Sequence, residues 1–157
     1  MPRMTLTSLF VLSTLPGFVL AGPPTADDYL ASKPLLLEVR YCECQATKPD
    51  SPPSDLLPDF LKNSNLLQAS VSGKDEGFLS SQEFSMGYEL RPVEDSPGTF
   101  NFNYAGEYVA SSGDNSGYGN LALKEGQWVT LFGSHHENET DSQHTDVAVR
   151  LVKMGGS

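Results

Sequence analysis

Two sets of residues in this 157-residue chain have the types that do chemistry. Cys42 and Cys44 stand two apart, which on an extended strand puts both on one face. A bridge between them would close a small, strained ring, and strained bridges are reducible. The pair therefore has a redox reading beside the plainer one of a local disulfide or two inert thiols. The second set is His135, His136 and His144, all the histidines of the chain, with Glu137, Glu139, Asp141 and Asp146 among them. Imidazoles with carboxylates suit a borderline divalent ion such as zinc, copper or nickel. No fixed ligand spacing such as H-x-x-x-H accompanies them, so a solvated linker is the competing expectation. Asn138-Glu139-Thr140 adds a glycosylation sequon to the same stretch, relevant only in a eukaryotic secretory host.

Other chemistries find no support. There is no G-x-S-x-G, and no histidine is placed by a recognisable motif to activate Cys42 or Cys44. Carboxylates are plentiful, but none lies in an apolar setting that would raise its pKa for acid catalysis. Gly113, Gly117 and Gly119 precede a strand pattern, whereas a phosphate cradle needs a helix N-terminus. No catalytic residue is assigned. A formal net charge of −10 repels phosphate backbones and anionic lipid, which excludes nucleic acid as a primary partner.

The elements that must position these residues begin after a leader. Arg3 and the apolar run to Leu20, with Val19 and Ala21 as small residues before a cut, read as a signal peptide over residues 1–21. An uncleaved anchor is the alternative, and the Pro16-Gly17 pair argues for cleavage. Removing it takes away Arg3 and moves the formal charge from −10 to −11. No later apolar run is long enough to span a bilayer as a helix. Residues 22–33 read as a flexible leader, 34–153 as one β-rich domain and 154–157 as a disordered tail.

Within the domain, Leu35, Leu37, Val39 and Tyr41 form one face of a strand, with Glu38, Arg40 and both cysteines on the other, where they are accessible to solvent or to a neighbouring element. A Pro-rich loop, 48–54, leads to a short helix carrying Leu56, Leu57, Phe60 and Leu61, closed by Lys62, Asn63 and Asn65. Strands follow over 66–71 and from Phe78. Phe84, Met86, Tyr88 and Leu90 then pair as a hairpin with Phe100, Phe102, Tyr104 and Tyr108 across a turn at 94–98. That aromatic row reads as core, although aromatics can also stack on bases or sugars. Residues 111–118 read as a flexible loop, 119–134 as a hairpin turning at Lys124-Glu125-Gly126, 134–144 as a polar loop, and Val147, Val149 and Leu151 as the last strand. The hairpin's alternation leaves open whether Trp128 or Val129 and Leu131 face the core. The fold class expected is mainly β, an antiparallel sandwich-like single domain with one short α-helix.

The segments PLLLEVRYCEC, MGYELRPV and LALKEGQWVTLFGS, in that order and separated by a Leu-rich helix and a Ser/Gly-rich loop, resemble the bacterial secretin homology domain of type II and III secretion systems. The likeness covers residues 34–134 and stops at the His-rich stretch. Secretins carry preceding ring domains that this chain lacks, and no lipid-facing hairpin is evident. What the resemblance implies is a β module associated with the envelope or secretion machinery. The expected function is a non-enzymatic exported interaction protein, periplasmic, outer-envelope associated or secreted, with a protein partner or self-association in the envelope. The alternative is a small metal-binding or thiol-redox protein using the His-rich stretch or the Cys-x-Cys pair.

Overall fold

The computed structural model describes residues 32–44, 61–138 and 141–154, with side chains throughout except at 135–143. The signal peptide, most of the leader and the helix expected over 54–61 lie outside the described residues, save Leu61 at the start of a turn. Eight antiparallel strands make two four-stranded sheets packed as a sandwich: β1 (Leu35–Cys44), β2 (Asn65–Val71), β3 (Asp75–Ser80), β4 (Phe84–Pro92), β5 (Thr99–Ala110), β6 (Gly113–Lys124), β7 (Val129–Asn138) and β8 (Asp141–Lys153). The first sheet has the order β2-β1-β8-β7 and the second β3-β4-β5-β6. The chain thus starts in one sheet, crosses at residues 72–74, meanders through the other, and crosses back at 125–128.

The core lies between the sheets and follows from period-two alternation. Leu35, Leu37, Val39 and Tyr41 of β1 and Val147, Val149 and Leu151 of β8 meet Phe84, Met86 and Leu90 of β4, Phe100, Phe102 and Tyr108 of β5 and Leu123 of β6. Tyr41 stacks on Phe84 with ring centroids 4.9 Å apart, joining the two layers, and its hydroxyl donates to Ser81 Oγ at 2.8 Å. The aromatic row of β4 and β5 is therefore core, as its spacing indicates.

Three segments differ from their sequence reading. Residues 113–118 are no loop: they are the first half of β6, paired with β5 from Ala110↔Gly113 onward. Two glycines of β6 answer to neighbouring rings, for a Cβ on Gly117 would lie 2.5 Å from the Phe132 ring and one on Gly119 would lie 3.2 Å from the Tyr104 hydroxyl. Residues 119–134 are no hairpin either, because β6 pairs with β5 and β7 with β8. Their connection is a corner between sheets, held by the Glu125 N–H on the Gly98 carbonyl and the Gly126 N–H on the Leu151 carbonyl, both at 2.8 Å. Gly126 has φ of 86°, which glycine tolerates without strain. Residues 134–138 and 141–144 of the polar stretch, finally, are the distal parts of β7 and β8, whose ladder runs Ser134↔Thr145, His135↔His144, His136↔Gln143 and on to Asn138↔Asp141.

A bulge in β7 settles the phase around Trp128. Thr130 opposes Ala148 and Phe132 opposes Val147, so Leu131 is the extra residue. Val129 and Phe132 consequently both pack against the core, and the Leu131 carbonyl accepts a hydrogen bond from the Tyr104 hydroxyl across the sandwich at 2.8 Å. Trp128 goes to the other face of the first sheet, where it is buried with Cys42, Leu61 and Ala148 in a second, smaller cluster.

Candidate functional site

That outer face of the first sheet holds Cys42, Cys44, His144 and Asp146, four of the residues singled out for thiol and metal chemistry. Cys42 and Cys44 are joined in a disulfide. Cys42 is buried, so of the two settings expected for it, solvent or a neighbouring element, it has the second: Leu61 and Trp128 cover this side of β1. Strand pairing sets Cys44 beside His144, and position 144 beside position 135, in one row across β1, β8 and β7. Successive positions of a strand alternate faces, so positions 135 and 136 do not both share the face of position 144. His144 and Asp146 are buried, at 4% and 9% exposure, although a solvated loop was the expectation for this stretch. Sulfurs bonded to each other are not thiolate ligands. Among the described residues, no group of three or more His, Cys, Asp or Glu side chains is arranged to hold a metal ion.

The remainder of this face is a packed ionic layer. Arg150 donates to Glu38 Oε2 from Nε at 2.9 Å and Nη2 at 2.6 Å, and Gln68 Nε2 donates to Glu38 Oε1 at 3.0 Å. The Arg150 guanidinium lies 4.7 Å from the Trp128 ring centroid and that of Arg40 5.9 Å from it, within reach of cation–π attraction. Arg40 Nη1 also donates to the Leu61 carbonyl and to Ser64 Oγ. Glu38, Arg150 and Gln68 thus satisfy one another, while the buried Arg40 Nε and Trp128 Nε1 have no hydrogen-bond partner among the described residues.

The outer face of the second sheet is built the opposite way. Register places Phe78, Gly87, Ala105 and Tyr118 in a single row across β3, β4, β5 and β6. Phe78 is 67% exposed and Tyr118 88% exposed, each on an edge strand, and the two central positions between them are small. A Cβ on Gly87 would lie 3.9 Å from Phe78 Cδ2, so the Phe78 ring borders a floor without side chains above a methyl. One row along, polar groups are already joined. Arg91 Nε donates to Glu89 Oε1 at 2.7 Å, Asn103 Nδ2 donates to Glu89 Oε2 at 3.1 Å, and Asn120 Nδ2 donates to Asn103 Oδ1. The hydrogen bond from Arg91, with a second from Asn103, holds the Glu89 carboxyl below its ordinary value and keeps it an acceptor. Beyond the row on its other side stand Ser80, Ser85, Glu107 and Ser116. A shallow depression of about 320 Å³ between Lys74, Asp75, Glu76 and Arg91 adjoins the ladder.

Sequence reasoning misses both rings. Phe78 interrupts a short acidic strand, and Tyr118 lies in the Ser/Gly-rich run assigned to a loop. The signal that could have found them is phase: in DEGFLS, Phe78 and Leu79 are adjacent, so one of them must face away from the core.

No protein-family model matches the chain, and no curated protein matches it. Among solved structures the chain is similar to an S-adenosylmethionine-dependent methyltransferase from Clostridium acetobutylicum, at 11% identity over 54% of this chain and 38% of that chain, with a TM-score of 0.28. A likeness at that level carries no argument about activity. The resemblance to the secretin homology domain is therefore overturned: no family model or curated protein supports it. The structure gives the physical reason, since the Ser/Gly-rich loop on which it relied is strand β6 and its terminal strand-turn-strand is divided between two sheets.

Proposed function

We propose that the chain is a non-catalytic binding module of an exported protein, with the outer face of β3–β6 as its ligand face. The observation that carries this reading is the row Phe78–Gly87–Ala105–Tyr118: two highly exposed rings flank a floor of small residues beside a preformed polar ladder. Single exposed apolar side chains are ordinary on a soluble protein. Two rings brought into one row by four strands, with nothing tall between them, are a shaped surface. Binding is the activity this geometry supports best.

Amide chemical-shift mapping of the isotope-labelled chain tests the reading. The probes are neutral oligosaccharides, an anionic oligosaccharide, a mixture of unstructured peptides, and the unlabelled chain itself in a concentration series. Saturable shifts centred on residues 78, 87, 105 and 118 with any probe are the expected result. Shifts with none of them, or shifts confined to the first sheet, would refute it.

A further inference from the structure

We infer that the ligand of this face is a neutral saccharide chain lying across the strands, an inference that rests on the binding-face reading above. Aromatic rings present a flat apolar surface, and the C–H faces of a sugar ring are the flat apolar surface of an otherwise polar ligand. Phe78 and Tyr118 offer two such platforms at the ends of one row. Three strand intervals separate them, about 14 Å of sheet, so a ligand touching both spans several sugar rings.

The polar ladder fits the same chemistry. Sugar hydroxyls donate and accept at once, and so need both kinds of partner side by side. Arg91 and Asn120 supply donors, while Glu89 and Asn103 supply acceptors, and their mutual hydrogen bonds hold them in place before a ligand arrives. A neutral ligand follows from charge. The chain carries −10 overall, and this face sets Glu76, Glu89 and Glu107 against Arg91 and Lys124, with Glu89 and Arg91 already paired, so a polyanion finds no net positive charge to hold it. Peptide docking is the less suited occupant. Strand addition uses a sheet edge, and helix docking needs a continuous apolar groove with pockets for anchors, whereas this face is an open floor bordered by Ser, Asn and Glu.

The test is titration of the whole chain with a panel of neutral hexasaccharides (β-1,4-glucan, β-1,4-mannan, β-1,4-xylan, α-1,4-glucan and chitin fragments) and with hexagalacturonate, read by amide shifts and calorimetry. At least one neutral member is expected to bind with saturable shifts at residues 78, 87, 105 and 118. F78A and Y118A should each weaken that binding about tenfold, with thermal unfolding unchanged because both rings are exposed. N103A should weaken it as well. If no neutral member binds, or hexagalacturonate binds more tightly than all of them, the saccharide inference is overturned. Should peptides or a second copy of the chain shift those same amides while the saccharides do not, the binding face stands and the saccharide assignment falls.

Discussion

Replacing Gly117 by alanine separates the strand assignment of residues 113–118 from a loop by the sign of its effect. Gly117 lies on the inward side of β6, opposite Gly106 of β5, with Phe132 of β7 over it. An added Cβ would sit 2.5 Å from Phe132 Cδ1 and Cγ and 2.6 Å from its Cβ, where carbon contacts are normally about 3.5–4.0 Å. Since the near atoms include Cβ, rotation about the side-chain bonds cannot clear the clash, and the two sheets must part by roughly an ångström or the ring must leave. Phe132 is further held by its stack on Tyr104, 6.3 Å between centroids, and the Tyr104 hydroxyl is fastened to the Leu131 carbonyl. Overpacking of this kind costs about 1–3 kcal/mol. At about 2 kcal/mol the melting temperature falls by roughly 8 °C for a domain of this size. Were 113–118 a mobile loop, the same change would be neutral or would stabilise by about 0.4–1 kcal/mol through the unfolded chain. Urea unfolding followed by fluorescence of the buried, single Trp128 measures the difference. A G117A variant as stable as the parent or more stable refutes the packing argument. In an F132A background the cost of G117A should shrink by about 1 kcal/mol, because the atoms it strikes are mostly gone.

Reducing the Cys42–Cys44 bridge should leave a cooperative fold, since cross-linking residues two apart closes so short a loop that chain entropy gives it only about 1.5 kcal/mol; urea midpoints with and without a phosphine reductant check this, and loss of the transition would contradict it. On the acid side, the Ser111 hydroxyl and the Ser112 N–H hold the Glu43 carboxyl below its ordinary 4.5, a contribution present above that pH and lost as pH falls through the lowered value. E43Q should therefore flatten the decline of stability below pH 4.5, and an unchanged slope would show that the Glu43 tie to the β5–β6 turn is immaterial. On the alkaline side, burial, reinforced by Glu43 and Glu83, pushes the Tyr108 hydroxyl up to about 12. The unfolded chain gives up that proton near pH 10, so stability is full below 10 and declines as pH rises toward 12. Y108F should lessen that decline in urea midpoints taken from pH 9 to 11.

How far the fold was legible depended on whether each pattern had a local cause. The inward faces of β1, β4 and β5 could be read because alternating large apolar residues have one physical reading, a half-buried strand. Residues 111–118 were not legible because Gly117 is fitted to Phe132, a side chain of another strand. The polar stretch from Ser134 to His144 has no apolar face to betray a strand, and it is ordered by pairing between β7 and β8, with β1 alongside His144 and Thr145. For residues 119–134, alternation correctly marks two strands around a turn but cannot tell a hairpin from a corner. That choice is made at Gly126, whose N–H is taken by Leu151 of the far sheet. The Leu131 bulge then reverses the phase that would have oriented Trp128.

The two faces of the second sheet carry inverse patterns, and that inversion is the strongest reason to look for a ligand on its outside. On the inner face one row reads Gly77–Tyr88–Tyr104–Gly119, with rings on the central strands and glycine at the edges, as a core thickest at its middle requires. The adjacent outer row reads Phe78–Gly87–Ala105–Tyr118, with rings at the edges and small residues at the centre. Folding accounts for the first arrangement, because Tyr88 and Tyr104 fill the space against the opposite sheet and lie over Gly77 and Gly119. It does not account for the second. Rings 67% and 88% exposed contribute little burial, and an edge strand is better protected from aggregation by a charge than by an aromatic. A row with rings at its rim and small residues at its centre is therefore the feature on which the proposed ligand face rests. On the proposed reading, the joined side chains of Arg91, Glu89, Asn103 and Asn120 suit a ligand whose hydroxyl groups both donate and accept.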